Sequence, residues 1–303
     1  MIIIRFHGGL GNQMFEYAFF CYMQKVYGDR TQVVADITWF DRNHNVHNGY
    51  ELERVFGIKL PCASYEEIGR VHEFYPGYHM TAPVRFIARR MAARKNRTHK
   101  PEGKHIFDFG KSQYSVNPAY EDMDLSYDWY IEGVFSTDDY MKHGGLKPGE
   151  LFGFKDPLSS EDSLISERME NCSSVAVHVR RGDYTGTAFD ILGTEYYRNA
   201  FEKIKEKSDD PVCFVFSDDM DYVRENMGFL GDFVPVHHAG AKSFEDMRLM
   251  THCKHMIAAN SSFSYWGAKL GDDRGAEDRI VIAPKKYKAD EDAVLAADNW
   301  ILV

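Results

Sequence analysis

VAVHVRRGDY, residues 175–184, begins as a run of β-branched apolar residues and ends in a cluster of charge. The apolar part is typical of a buried strand. Two arginines follow at its end, and guanidinium groups are too costly to bury without anionic partners. Asp183 is one such partner, but one carboxylate neutralises only one arginine. We therefore favour a phosphate or pyrophosphate site at the carboxyl edge of a parallel sheet over an internal ion pair.

Strand and helix patterns alternate around this stretch, from residue 163 to residue 283. Such alternation predicts a parallel, doubly wound sheet. The amino-terminal half also opens with a strand, a helix and a strand, and residues 142–157 collect the glycine and proline of a linker. We predict an α/β protein with two nucleotide-fold-like domains that face a cleft. Their expected bounds are 1–150 and 158–290, followed by a tail, 291–303, that packs back on the first domain.

Bulk composition excludes several classes of protein. A net charge of −10 over 303 residues argues against a nucleic-acid partner. No apolar run has the length of a membrane span, and the first residues resemble a strand instead of a signal peptide. Five scattered cysteines have no metal-binding spacing and suit a reducing compartment. We expect a cytoplasmic protein.

The segment from Val84 to Lys104 is strongly basic and carries apolar residues along one side. Two interpretations remain open. It is either a peripheral contact with the anionic inner face of a membrane, or a solvated helix followed by a loose linker.

A glycine-rich stretch, His7 to Gln13, lies between the first strand and the first helix. It is neither a dinucleotide fingerprint nor a P-loop, so it predicts a tight turn that lets the backbone approach a ligand. Amide side chains at the helix start suit sugar hydroxyls. A polar loop with His44 and His47 has no third metal ligand nearby and is expected either to be solvated or to line the substrate site. The expected substrate contacts are His7, Gly9, Gly11, Asn12, Gln13 and His47.

Two further polar clusters follow predicted strands in the second half. Asp219-Met220-Asp221 resembles an element that holds a divalent cation, but a helix cap with a ribose or base contact is favoured, since Arg180 and Arg181 supply positive charge. At Asn260-Ser261-Ser262-Phe263-Ser264 a strand gives way to a helix, whose first N–H groups and dipole suit an anion. We expect a diphosphate there and no metal or cofactor. The expected nucleotide contacts are His178, Arg180, Arg181, Asp218, Asp219, Asn260, Ser261, Ser262 and Phe263.

The chain resembles the bacterial α-1,2-fucosyltransferases of glycosyltransferase family 11, and the likeness covers most of its length in the same order. The H-x-R-R-x-D element at His178–Asp183 is the most specific part. The other shared stretches are Gly8–Phe15, His47–Leu52, Glu195–Tyr197, Phe216–Asp219 and Asn260–Ala268. The departures are Tyr265, where a second Trp is common, and the basic segment, which leaves the delivery of the acceptor open.

The resemblance implies a GT-B fold and an inverting, metal-independent transfer of fucose from GDP-fucose. The acceptor would be the 2-hydroxyl of a terminal galactose in an oligosaccharide or a lipid-linked glycan. It also implies that Arg180 is the main diphosphate contact. For the general base we choose Asp183, with Asp190 and His7 as candidates and orientation of an arginine as its alternative role. Two rival functions are a different nucleotide-sugar donor and a non-catalytic sugar-nucleotide-binding protein.

Overall fold

The computed structural model describes residues 1–43, 47–72, 87, 90–91, 103–109, 113–276 and 278–303. The chain divides into two compact units, Met1–Lys147 and Pro148–Val303. The division lies within the glycine- and proline-containing segment 142–157.

The first unit contains a parallel sheet of four strands in the order β2-β1-β4-β3. Its strands are β1 (Ile2–Arg5), β2 (Val33–Asp36), β3 (Lys104–Asp108) and β4 (Trp129–Gly133). Its helices are α1 (Leu10–Tyr27), α2 (Thr38–Arg42), α3 (Leu52–Phe56), α4 (Tyr65–Val71) and α5 (Asp139–Gly144). Ile2, Ile3 and Ile4 of the central strand are completely buried, which contributes about 2 kcal/mol for each side chain.

Helix α1 forms because a glycine turn is followed by apolar residues at helical spacing, most of which are buried. Gly8 has φ +76°, a conformation that a side chain would strain, and Gly9 then begins the helix in an extended conformation. Most of α1 is buried, including two polar side chains, Gln13 and Glu16, with no exposed surface. Because buried polar groups need partners, these two positions mark a built site.

The second unit contains a parallel sheet of six strands in the order β10-β9-β8-β5-β6-β7. Its strands are β5 (Ser174–Val179), β6 (Val212–Ser217), β7 (Val234–Val236), β8 (His255–Ile257), β9 (Val281–Ala283) and β10 (Ile301–Leu302). Its helices are α6 (Pro148–Leu151), α7 (Ser160–Glu170), α8 (Thr194–Lys205), α9 (Met220–Asn226), α10 (Phe244–Met250) and α11 (Ser262–Asp272). The predicted α/β class with parallel sheets is confirmed.

The carboxyl terminus forms the edge strand of the second sheet. β10 pairs with β9, with Ile301 opposite Ile282, so the last residues complete the second sheet and belong to the second unit. The sequence pattern did not predict this strand because it has only two residues. Strand β3 was also not predicted, since it begins at Lys104, the last residue of the basic segment.

Of the basic segment Val84–Lys104, only Ile87, Arg90, Met91, Gly103 and Lys104 are among the described residues. Lys104 is part of β3, and its ammonium group lies 4.0 Å from the centre of the Tyr127 ring. The rest of the segment, and His44, lie outside the described residues, so the membrane contact stays a prediction. Within the described part of the chain, no helix combines the length and apolar character that a membrane crossing requires.

Candidate active site

The carboxyl edge of the second sheet brings three sequence clusters together. Val177 of β5 lies opposite Val215 of β6 and Ile257 of β8. Counting three residues on along each strand gives Arg180, Asp218 and Asn260. Side chains that are distant in sequence therefore share one edge, where open parallel sheets bind ligands.

Three carboxylates hold the two arginines at this edge. The guanidinium of Arg180 lies 2.6 Å from Asp183 and 2.8 Å from Asp218. Arg181 lies 3.4 Å from Asp219, and its guanidinium stacks 3.7 Å from the centre of the Tyr222 ring. The backbone N–H of Arg181 also donates to Asp218 at 2.9 Å. The pair is thus held in place before any ligand arrives.

This arrangement corrects the argument from a spare positive charge. The sequence offered Asp183 as the only built-in partner, whereas the fold supplies Asp218 and Asp219 from the end of β6 as well. An incoming diphosphate would compete with carboxylates for the guanidinium groups. The side chains of Arg180 and Arg181 keep 31% and 22% of their surface exposed, so a ligand can reach them.

Asp183 orients Arg180, which is the alternative role considered for it. Its carboxylate, 54% exposed, reaches back across one short turn to the guanidinium. The other carboxylate candidate for the general base, Asp190, accepts a hydrogen bond from the N–H of Gly186 at 3.0 Å and closes its own loop. Neither of these contacts would help the carboxylate of Asp183 or Asp190 to take a proton from an acceptor.

His178 is buried beneath the arginines. The side chain is 7% exposed, and Nδ1 has no hydrogen-bond partner within the described part of the chain. Burial, with the charge of Arg180, lowers the pKa of His178 to about 4, although Asp218 opposes the shift. The ring lies 5.8 Å from that of Phe263. An orphaned polar atom beside a helix start favours a ligand at this edge.

The start of α11 is built from small polar residues. Ser261 is the N-cap and makes no side-chain capping bond, and its side chain instead bonds the hydroxyl of Tyr184. The Ser264 hydroxyl accepts from the N–H of Ala259 at 2.9 Å. The first turn of an α-helix points N–H groups and the positive end of its dipole outward, which suits an anion.

Asn260 has a different role from the predicted nucleotide contact. Its side chain is 3% exposed, and Nδ2 donates to the carbonyl oxygens of Phe189 at 2.9 Å and Tyr287 at 2.8 Å. Both amide hydrogens are therefore used within the protein. Asn260 fastens two loops to the start of α11.

The Asp219-Met220-Asp221 stretch forms the start of α9. Asp219 caps the helix by accepting from the N–H of Tyr222 at 3.1 Å, while Asp221 is exposed and pairs with Arg224. No cluster of three His, Cys, Asp or Glu residues suited to a metal ion occurs among the residues that the structure describes. Of the two carboxylates that could have held a cation, that of Asp219 therefore serves as a helix cap.

A second site surrounds the glycine turn of the first unit. A Cβ atom placed on Gly8 would lie 2.8 Å from Nδ2 of Asn12, and one on Gly9 would lie 3.3 Å from Nδ1 of His47. The two loops therefore pack closely. His47 is exposed and has φ 54°, an uncommon conformation for a residue with a side chain. Gly11 is buried within the first turn of α1.

Gln13 joins these two loops, which differs from its predicted contact with sugar. Its Nε2 donates to the carbonyl oxygens of Gly8 and Gly49, both at 3.0 Å, and its Oε1 accepts from the N–H of Glu51 at 2.8 Å. An amide engaged in this way has no donor left for a sugar hydroxyl. Gln13 therefore contributes to the site by holding the two loops together.

Glu16 is a residue that the sequence analysis missed. Its Oε1 lies 2.5 Å from Nδ1 of His7, and both carboxylate oxygens accept from the N–H of His7. A charged residue within an otherwise apolar helix face was the available signal. His7 also contacts the edges of Trp39 and Phe109, whose ring centres lie 6.1 and 6.0 Å away.

The predicted residues thus form two groups. His178, Arg180, Arg181, Asp218, Asp219 and the start of α11 share the carboxyl edge of the second sheet. His7, Gly9, Asn12 and His47 share the glycine turn of the first unit. Each group lies within one compact unit.

Comparisons with known proteins identify a family model and several relatives of this chain. The family model described as Glycosyl transferase family 11 matches residues 158–302. The O-antigen biosynthesis glycosyltransferase WbnK of Escherichia coli is 27% identical over 314 residues, which covers 97% of each chain. The alpha-1,2-colitosyltransferase of Escherichia coli is 28% identical and covers 95% of this chain and 92% of that protein.

A solved structure shares the fold. The crystal structure of fucosyltransferase NodZ from Bradyrhizobium superimposes with a TM-score of 0.50 at 14% identity, over 89% of this chain and 91% of that one. At this identity the likeness shows the fold alone, and it confirms the predicted GT-B class. Residues 158–302 thus match a glycosyl transferase family 11 domain, and the chain that carries them is a glycosyltransferase.

Proposed function

We propose that the protein transfers L-fucose from GDP-fucose to the 2-hydroxyl of a terminal galactose in a glycan. The transfer inverts the anomeric centre and needs no metal ion. The second unit binds the nucleotide sugar, and the first presents the acceptor. The α-1,2 linkage in the name of one relative supports the position of transfer, and the family supports the reaction type.

One observation carries the proposal: Arg180 and Arg181 lie at the end of β5, on the same sheet edge as the start of α11. As the sugar gains oxocarbenium character, negative charge grows on the departing diphosphate. Fixed guanidinium groups and helix N–H groups stabilise such charge without reorganising during the reaction. The carboxylates of Asp183 and Asp218 hold Arg180 in position for this role.

A different donor is the second candidate, because one relative is a colitosyltransferase. Colitose is the 3-deoxy form of L-fucose, so the two donors share the same nucleotide and differ at one hydroxyl. A diphosphate site alone does not distinguish them, since both present the same phosphates to the arginines. The protein can distinguish the fucose donor from the colitose donor only through contacts to the sugar ring.

The test compares donors in one assay. The protein is incubated with a galactose-terminated oligosaccharide and GDP-fucose, GDP-colitose, GDP-mannose or UDP-galactose in turn. We expect product only from GDP-fucose among these donors, with an α-1,2 linkage assigned by NMR. Arg180→Ala should abolish turnover, while Arg224→Ala, on the exposed face of α9, serves as the matched control.

Three outcomes would contradict the proposal. Transfer from GDP-colitose alone would assign the second candidate. Transfer from UDP-galactose would overturn the nucleotide assignment. Tight binding of GDP-fucose without turnover of any donor would identify a sugar-nucleotide-binding protein.

A further inference from the structure

The glycine turn of the first unit holds a histidine that is oriented by a buried carboxylate. Glu16 projects from α1, has no exposed surface, and lies 2.5 Å from Nδ1 of His7. At this distance the two groups form an ion pair when the imidazole is protonated. Because the same carboxylate also accepts from the N–H of His7, both the ring and its backbone are fixed.

We propose that His7 and Glu16 form the general-base dyad of the transfer, with Nε2 of His7 taking the proton of the acceptor hydroxyl. This inference rests on the proposed function. When Nδ1 carries the proton directed at Glu16, Nε2 keeps its lone pair and is the basic atom of the ring. A carboxylate that holds a histidine in this tautomer also stabilises the imidazolium that forms.

The position of His7 suits a substrate better than a purely structural role. Its side chain keeps 17% of its surface exposed although Glu16 behind it is completely buried. Trp39 and Phe109 flank the ring with their edges, and aromatic side chains commonly line sugar sites. The glycine turn lets a ligand approach the adjoining backbone closely.

The charges around the ring favour its protonated form after the step. Burial opposes a charge on His7, but the charge of Glu16 and its bond to the ring more than offset this, so the pKa of His7 is raised. Burial likewise raises the pKa of Glu16 to about 7, against the effect of His7. The other charged groups that face the ring are Arg5, which lowers its pKa, and Glu132, which raises it.

The dyad and the substrates together account for every proton and electron pair in the transfer. The acceptor oxygen forms a bond to the anomeric carbon as its proton passes to Nε2 of His7. The bond from that carbon to the diphosphate breaks, and its electron pair leaves with the diphosphate. The imidazolium then loses its proton to solvent, which restores the base.

The experiment compares His7→Gln and Glu16→Gln with the parent protein. The matched control is His252→Gln, because His252 also contacts a glutamate, Glu170 at 2.8 Å, but precedes β8 at the opposite edge of the second sheet. Transfer is followed as kcat from pH 5 to pH 9, and the Kd of GDP-fucose is measured by calorimetry. Thermal unfolding records whether each variant is folded.

We expect His7→Gln to lower kcat roughly a hundredfold with little change in the Kd of GDP-fucose, as for loss of a general base. In the parent, kcat should fall as the pH drops through the raised pKa of His7, above the usual 6.5. Glu16→Gln removes the charge that raises this pKa, so the acidic limb should move to lower pH. His252→Gln should match the parent.

Two results would overturn the dyad. One is a folded His7→Gln variant that turns over at the parent rate. The other is an unchanged acidic limb in Glu16→Gln, which a merely structural glutamate would give. If the parent uses another donor, the proposed fucose transfer fails, and the same measurements with that donor still decide the dyad.

Discussion

At Arg180, the effect of the shape of the guanidinium group can be measured separately from the effect of its positive charge. Its planar fork spans Asp183 and Asp218 and can grip two phosphate oxygens, whereas Lys offers one compact charge. We expect Arg180→Lys to lower kcat by about a hundredfold, equivalent to roughly 3 kcal/mol of transition-state stabilisation. The donor KM should change less, because Arg181 and the start of α11 share the ground-state charge.

The control for this variant is Arg224→Lys on the exposed face of α9. Melting temperature is recorded beside the donor kinetics. Normal turnover of Arg180→Lys would remove the residue from the mechanism, and a large fall in melting temperature would assign it to the structure.

His178 should make stability depend on pH. Its pKa is lowered to about 4 in the folded protein, mainly by burial, against 6.5 for the unfolded chain. A depressed histidine contributes stability above its unfolded pKa and loses it as the pH falls toward the folded value. The loss between pH 6.5 and 4 should reach about 3 kcal/mol.

His178→Gln removes this titration, so its unfolding free energy should change less over that interval. Urea unfolding at pH 4, 5, 6 and 7 measures the difference between variant and parent. His255, whose pKa burial also lowers to about 4, is present in both proteins and cancels. If the difference in unfolding free energy between variant and parent stayed constant with pH, the lowered pKa of His178 would be contradicted.

At the scale of elements, Gln13 ties the start of α1 to the loop around Gly49. Gln13→Leu keeps the approximate size of the side chain but removes the partner of the buried carbonyl oxygen of Gly8, of the half-buried carbonyl oxygen of Gly49 and of the N–H of Glu51. Because each unsatisfied group costs about 1–3 kcal/mol, we expect a loss of roughly 3 kcal/mol after relaxation. The acceptor KM should rise while the Kd of GDP-fucose is unchanged.

Gln24→Leu is the matched control on the same helix. It removes a single hydrogen bond, to the carbonyl oxygen of Val33, at the far end of α1. Chemical unfolding and acceptor kinetics are compared for both variants. Equal effects on acceptor KM would mean that α1 acts only through its overall stability.

At the scale of the whole molecule, positive charge in the second unit should replace a metal ion. Two guanidinium groups and the start of α11 lie at the proposed diphosphate site, while Asp219 caps α9 and Asp221 pairs with Arg224. We therefore expect full activity in excess EDTA. Loss of activity with EDTA that Mg²⁺ or Mn²⁺ restores would mean that Asp219 and Asp221 hold a cation.

The sequence by itself predicted most strands and helices of the second unit and the residues of one of the two candidate sites. Alternating apolar patterns are local, so they predicted β5, β6 and the parallel sheet class. Arg180, Arg181 and the small residues before α11 follow directly on such strands, which placed them at one edge. The family resemblance rested on the same contiguous stretches.

Tertiary structure alone decided how those residues are paired. Arg181 meets Asp219 from 38 positions away because the register of β5 on β6 brings their ends together, and this cancelled the predicted spare charge. Gln13 reaches Gly49 in the same non-local way. The contact between His7 and Glu16 depends on the angle at which α1 leaves the glycine turn. Such partners lie outside any local pattern, because packing chooses them after the elements have formed.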